Sequence, residues 1–218
     1  MDNLKFKKYY TRNLPHFQPE GAIFAMTFRL AFSLPKNIKR KLSEEKKEFD
    51  RIAETLTGKE LKVFTNEFER KYFEDFDDFL DKYSKSPMWL SNDEVASEVA
   101  HSIQFQNNKI YDLYAYCIMP NHVHLIIQPL KRKVGEYYSL SKIMYSLKRF
   151  TANSCNKILK RTGQFWHHEN YDHYIRDEKD YTYQMNYIIQ NPVKAGLVNN
   201  STNWKYIWIR DRYTNEFD

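Results

Sequence analysis

The stretch YAYCIMPNHVHLIIQP, residues 114–129, sets two histidines one residue apart within an otherwise apolar run. Ile118, Val123, Leu125, Ile126 and Ile127 read as a buried strand bounded by Pro120 and Pro129. Side chains two apart on a strand share a face. His122 and His124 therefore emerge side by side, with Val123 and Leu125 opposite. Val or Ile would pack better there, so buried imidazoles at both positions need polar partners. A hydrogen-bonded pair is one solution, and a shared metal ion is the other.

The surrounding sequence places this strand within a mixed fold. AIFAMTFRLAF (22–32) is a strand candidate that follows a loop with Pro15, Pro19 and Gly21. SNDEVASEVAHSI (91–103) opens with a capping-box pattern, Ser91 to Glu94, and carries Val95, Val99 and Ile103 at helical spacing. Strands are expected at about 110–118 and 122–128. LSKIMYSLKRFTANSCNKILK (140–160) is an amphipathic helix, with Leu140, Ile143, Met144, Leu147, Phe150 and Ile158 on or near one face. YDHYI (171–175) suits a short strand. DEKDYTYQMNYIIQ (177–190) suits a final helix, with acids in its first turn and a stop near Asn191 set by Pro192. The order strand, helix, strand, strand, helix, strand, helix implies an α+β fold: a ferredoxin-like split βαβ antiparallel sheet with helices on one face. The simplest organisation is one domain over residues 1–218, with a charged helical insertion at about 36–86. Within that insertion Phe64, Phe68, Phe76 and Phe79 are spaced for one buried stripe.

Charge narrows the partner. The net charge is +6, but residues 36–85 balance 13 Lys/Arg against 13 Asp/Glu. Residues 131–161 hold nine Lys/Arg against Glu136 alone, so basic charge collects just after the histidine strand. A solvated helix face and a phosphate-tracking surface both fit that pattern. Lys142, Lys148 and Arg149 are its candidate phosphate contacts. At the other end KFKKYYTRN (5–13) joins Lys7, Lys8 and Arg12 to Tyr9, a composition suited to phosphates and bases or to a disordered terminus. No apolar run approaches the ~20 residues that span a bilayer. The first residues lack the apolar segment of a secretory signal. With Cys117 and Cys155 the only cysteines, a disulfide framework is not expected, and a cytoplasmic setting is. CxxC, Walker A and GxGxxG patterns do not occur.

A second candidate cluster lies in the final helix. At 100° per residue Met185, Ile188 and Ile189 form its core face, and Tyr187 points away from them, one turn below Asn191. Spacing alone does not single out Tyr187 among 17 tyrosines.

The run MPNHVHLI (119–126), followed by YIIQNPVKAGLV (187–198), resembles the single-tyrosine HUH transposases, and more narrowly the REP-associated tyrosine transposases. LPHFQPEG (14–21), TFRLAFSLP (27–35) and FWHHENYDHYIRDEKD (165–180) extend the resemblance over most of the chain outside about 36–85. The resemblance implies that His122 and His124 are metal ligands, that Asn191 completes the site, and that Tyr187 is the nucleophile. It implies a divalent cofactor, Mg²⁺ or Mn²⁺, and a single-stranded or hairpin DNA substrate of REP-like palindromic type. The activity implied is cleavage and rejoining of DNA through a 5′-phosphotyrosine, by a monomer or a homodimer, with no membrane partner. The alternative is a domesticated hairpin-binding protein without cleavage. His173 and Glu169 are candidates to orient the site, and Asp172 and Arg176 to hold the local fold.

Overall fold

The computed structural model describes residues 9–11, 15–83, 85–133 and 135–210. It divides into two compact units, Met1–Ala31 with Pro87–Asp218, and Phe32–Ser86. A short hairpin pairs β1 (Tyr9–Thr11) with β2 (Pro15–Phe17), and β3 (Phe24–Arg29) follows. The smaller unit supplies α1 (Lys36–Ala53) and α2 (Gly58–Lys82). The larger unit resumes with α3 (Asp93–Phe105), β4 (Tyr111–Ile118), β5 (His122–Pro129), α4 (Leu140–Ile158), β6 (Tyr171–Tyr174), α5 (Glu178–Lys194) and β7 (Ile207–Ile209).

The strands of the larger unit form one five-stranded sheet in the order β6-β3-β5-β4-β7, and every pair is antiparallel. The first four reproduce the ferredoxin-like arrangement expected of a split βαβ. β5 lies at the centre, where Val123, Leu125, Ile126 and Ile127 are each 0% exposed. Burial of such side chains stabilises by about 1.5–3 kcal/mol apiece, which fixes β5 in register. The crossover helices α3 and α4 share one face, as the fold requires. Gln104 of α3 donates to the Tyr116 hydroxyl, and Trp166, packed edge-on to Phe28, donates to Thr151 of α4. Tyr116 and Phe28 stand opposite Leu125 and Val123 in register, so that face is the Val123 and Leu125 side.

The opposite face carries His122, His124 and Ile126, and α5 covers it. Beneath α5 lie Ala25, Ala115, Cys117 and Ile126, against Tyr181, Met185 and Ile188. Three of those four sheet residues are small, which lets the helix approach the strands closely. A register shift between Leu113 and Ala115 inserts Tyr114 as an extra residue. That bulge turns Ala115 and Cys117 toward α5, while Leu113 stays opposite Ile127.

The structure differs from the sequence expectation at several ends. The cap of α3 is Asn92, not Ser91: its side chain accepts from the Glu94 and Val95 N–H groups at 3.0 and 3.2 Å. Pro192 does not stop α5, because a proline in the last turn removes only one intrahelical bond. Gly196, at φ +71°, ends it instead: its N–H reaches Val193 O and the Leu197 N–H reaches Pro192 O. Ile189 is half-buried, and the buried side of α5 is Tyr181, Gln184, Met185, Ile188, Asn191 and Pro192. The edge strand β7, paired with β4 through Cys117, Tyr116 and Ala115, has no counterpart in the sequence reading.

In the smaller unit α1 and α2 run antiparallel, with Phe49 stacked on Phe64 and Phe68 at 5.4 and 4.3 Å. The expected stripe of Phe64, Phe68, Phe76 and Phe79 is half-buried, and Phe73 and Leu80 are buried instead. Its outer charges pair along the helices, as Arg40 does with Glu44 and Arg70 with Glu74, and such exposed pairs add little stability.

Close packing under α5 has a measurable consequence. Ala115→Leu forces extra volume between β4 and α5, with an expected loss of about 1–3 kcal/mol in denaturant unfolding. A variant as stable as the parent would contradict this packing.

Candidate metal and nucleophile site

The turn from β4 to β5 builds the first part of the site. Met119 donates its N–H to His122 O at 2.9 Å, and Leu30 donates to Asn121 O at 2.9 Å. Asn121 is thereby held beside His122, 2% exposed, and its Oδ1 lies 2.6 Å from His122 Nδ1. A carbonyl oxygen only accepts, so His122 donates from Nδ1 and presents Nε2 on the other side of its ring. His124 Nδ1 lies 2.8 Å from the Thr27 hydroxyl, its register partner on β3. A hydroxyl donates or accepts as the ring requires.

The two Nε2 atoms converge at 2.9 Å, and both histidines are buried, 0% and 1% exposed. Two nitrogens about 2.1 Å from one octahedral ion, at a right angle, stand about 3.0 Å apart. Burial, with a smaller push from Lys194, lowers the His124 pKa to about 3. The imidazole is therefore neutral at pH 7, as a ligand must be. This donor set fits a divalent ion.

α5 brings the remaining candidates to the same face. The Tyr187 ring stands edge-on to His124, with centroids 5.9 Å apart. Tyr183, one turn earlier, packs at 6.2 Å from Tyr187. Asn191, one turn later, is 1% exposed on the side of α5 that meets the sheet. The Lys194 ammonium lies 5.1 Å from the Tyr187 ring centroid. A fixed charge also comes from β3, where Arg29 pairs in register with His122 and is 6% exposed. Burial lowers its pKa to about 10, partly offset by Glu169, so it stays cationic at neutral pH.

Among the other candidates, Glu169 bears on this cluster through its charge on Arg29. His173 Nε2 lies 2.8 Å from an Asp180 oxygen that also accepts the Arg176 N–H at 3.1 Å. Burial raises the Asp180 pKa, but bonding to His173 and the nearby charges outweigh it, so the carboxyl titrates below its ordinary range. Asp172 accepts from Gln18 at 2.9 Å, and the Arg176 guanidinium lies over Tyr174. Lys142 and Arg149 are exposed on α4. Lys148 is turned to the 168–170 loop, with Nζ 2.6 Å from Asn170 Oδ1. Tyr9 begins β1, whereas Lys7, Lys8 and Arg12 lie outside the described residues. The sequence reading missed Thr27, Asn121, Arg29 and Lys194. The motif neighbours Asn121 and Lys194 were open to it, but Thr27 and Arg29 become visible only through the β3–β5 register.

A ferredoxin-like sheet bearing a His-x-His pair on its central strand, faced by a tyrosine from a C-terminal helix, defines an HUH-type architecture. Residues 79–191, just over half of the chain, match the family model described as "Transposase IS200 like". The chain belongs to that family. It is 30% identical over 106 residues to a REP-associated tyrosine transposase of Escherichia coli K12, covering 48% of this chain and 58% of that protein. It is 29% identical over 101 residues to a Haemophilus influenzae protein assigned to the same group, covering 44% and 57%. The chain thus spans a little over half the length of these relatives. Its fold matches a solved REP-associated tyrosine transposase bound to a REP hairpin, with TM-score 0.53 and 16% identity over 91% of this chain and 80% of that one.

The lowered pKa values of His124 and His167 set a pH dependence for the metal-free protein. His124 is lowered to about 3, and burial also lowers His167 to about 4. Unfolded histidines titrate near 6.5, so between about pH 6.5 and 3 the unfolded chain binds more protons. Stability is complete above that window and falls as the pH drops through it. His124→Ala is expected to flatten this fall in denaturant midpoints measured from pH 7 to pH 4. An unchanged slope would contradict a buried neutral His124.

Proposed function

We propose that this protein is a metal-dependent, single-strand-specific DNA transposase or nickase that cuts and rejoins DNA near hairpins. The observation that carries the reading is the Tyr187 ring set against His124, whose Nε2 meets that of His122. His122, His124 and Asn191 would hold the cofactor, Mg²⁺ or Mn²⁺, as two imidazole nitrogens and one carboxamide oxygen. When bound, such an ion polarises the scissile phosphate and stabilises the leaving oxygen.

The residues of the chain do the rest. Tyr187 attacks phosphorus through its hydroxyl oxygen; the O–P bond to tyrosine forms and the bond to the 3′-oxygen breaks. The phenolic proton leaves, and the 3′-oxygen takes one up. The products are a 5′-phosphotyrosine and a free 3′-hydroxyl. The phosphoester is kept, so a second 3′-hydroxyl can reverse the attack and join a new strand. A phenol near pKa ~10 is a weak nucleophile at pH 7. The Lys194 ammonium beside the Tyr187 ring and the buried Arg29 on β3 add positive charge to this face, which suits a phosphate. Lys142 and Arg149 contact substrate phosphates, Lys148 fixes the 168–170 loop, and Lys7, Lys8, Tyr9 and Arg12 extend the DNA contact at the N-terminus. The substrate is hairpin DNA of REP-like type, handled by a monomer or a homodimer in the cytoplasm. No helix among the described residues is long and apolar enough to cross a membrane. A hairpin binder without cleavage would have no use for a tyrosine positioned on the histidine pair.

Incubation with hairpin DNA and Mn²⁺, followed by a denaturing gel, tests this reading. The parent is expected to give a nicked strand and a protein–DNA adduct. Tyr187→Phe loses both and still binds the hairpin. His122→Ala or His124→Ala loses cleavage, and Asn191→Ala shifts the metal titration less severely, since water can replace one neutral oxygen. Cleavage without adduct in Tyr187→Phe would overturn the covalent mechanism.

A further inference from the structure

From the outer face of α4 we infer a docking strip for unpaired nucleotides, with Tyr145 and Phe150 as the base-stacking residues. The inference rests on the reading of this chain as a single-strand DNA enzyme and names the part of the substrate that α4 takes.

Tyr145 and Phe150 are 65% and 59% exposed, the most exposed large apolar side chains among the described residues. The sequence pattern assigned Phe150 to the buried face; the structure instead turns it to solvent. One exposed aromatic ring needs no explanation. These two, however, share a helix that contains no acidic residue and four basic ones, Lys142, Lys148, Arg149 and Lys157. Lys142, Ser146, Arg149 and Asn153 are all exposed and follow one line along the helix. Tyr145 lies three residues after Lys142 and four before Arg149, so a cation stands one turn away on each side. The two rings are five positions apart in sequence, which places them about 140° apart around the axis, on opposite flanks of that line. The exposed Lys131, Arg132 and Lys133 continue the charge ahead of the helix.

A charged line flanked by free rings has the composition of a single-strand platform. Phosphates track the cations, and unpaired bases lie on the rings whatever their identity. A paired helix keeps its bases stacked on one another, so it could use the charges but not the rings. The occupant is therefore an unpaired strand, such as one flanking a hairpin.

Fluorescence anisotropy with two probes tests this: a single-stranded oligothymidylate and a blunt hairpin with a minimal loop. The Tyr145→Ala/Phe150→Ala variant is expected to lose about tenfold or more in affinity for the oligothymidylate. Its affinity for the blunt hairpin and its salt slope stay near those of the parent. Tyr145→Phe keeps the ring and binds as the parent does, which separates stacking from misfolding. Lys142→Gln/Arg149→Gln should instead shallow the slope of log affinity against log salt by roughly 0.7 per phosphate lost. Parent-like binding of oligothymidylate by the double alanine variant, in a protein that cleaves hairpin DNA, overturns the strip and leaves the cleavage reading intact. Ring-dependent binding by a protein that never cleaves supports the strip and overturns that reading instead.

Discussion

Two buried imidazoles whose Nε2 atoms meet at 2.9 Å at the centre of a sheet are the constraint that organises this molecule. An unsatisfied buried polar group costs about 1–3 kcal/mol, so β5 accepts two histidines only where each outer nitrogen is answered. Asn121 answers His122 through the β4–β5 turn, and Thr27 answers His124 through the β3–β5 register. Those partners leave both Nε2 atoms directed at one point. A slip of one residue in β5 would send both rings into the α3–α4 core and bring Val123 to the site. The apolar Val123 and Leu125, which alternate with the histidines, therefore fix the site as well as the fold.

α5 depends on the same face. Its approach rests on Ala25, Ala115 and Cys117, and two of these face it only because of the bulge at Tyr114. With the helix this close, Tyr187 reaches His124 from the border of the buried stripe, while Asn191 falls within it. The glycine termination after Lys194 also matters, because it carries the helix past Pro192 and sets the Lys194 ammonium near the Tyr187 ring. Packing, capping and electrostatics thus converge on one tyrosine.

The legible parts of the sequence were those with a strong local period. The alternation in β5 placed His122 and His124 on one face, and the i, i+4 spacing joined Tyr187 to Asn191. What escaped notice depends on distant pairing. Thr27 and Arg29 acquire meaning only when β3 is aligned against β5, and β7 is a three-residue edge strand whose pairing with β4 no local pattern announces. Pro192 misled because a helix breaker in a final turn breaks almost nothing. Phe150 misled for a different reason: a hydrophobic residue near the apolar arc of a wheel was read as core, when a tilt in its angle was enough to expose it. The family was legible because both motifs resemble it, whereas spacing alone could not choose among the tyrosines.

The central claim is that Tyr187 is the group that attacks DNA, and one measurement bears on it most directly. A covalent complex trapped on hairpin DNA, digested and fragmented by tandem mass spectrometry, locates the modified residue within the peptide between Lys179 and Lys194. That peptide holds Tyr181, Tyr183 and Tyr187. Phosphate on Tyr187 alone is the expected result. Phosphate on Tyr183, its neighbour one turn away, or on the buried Tyr181 would contradict it.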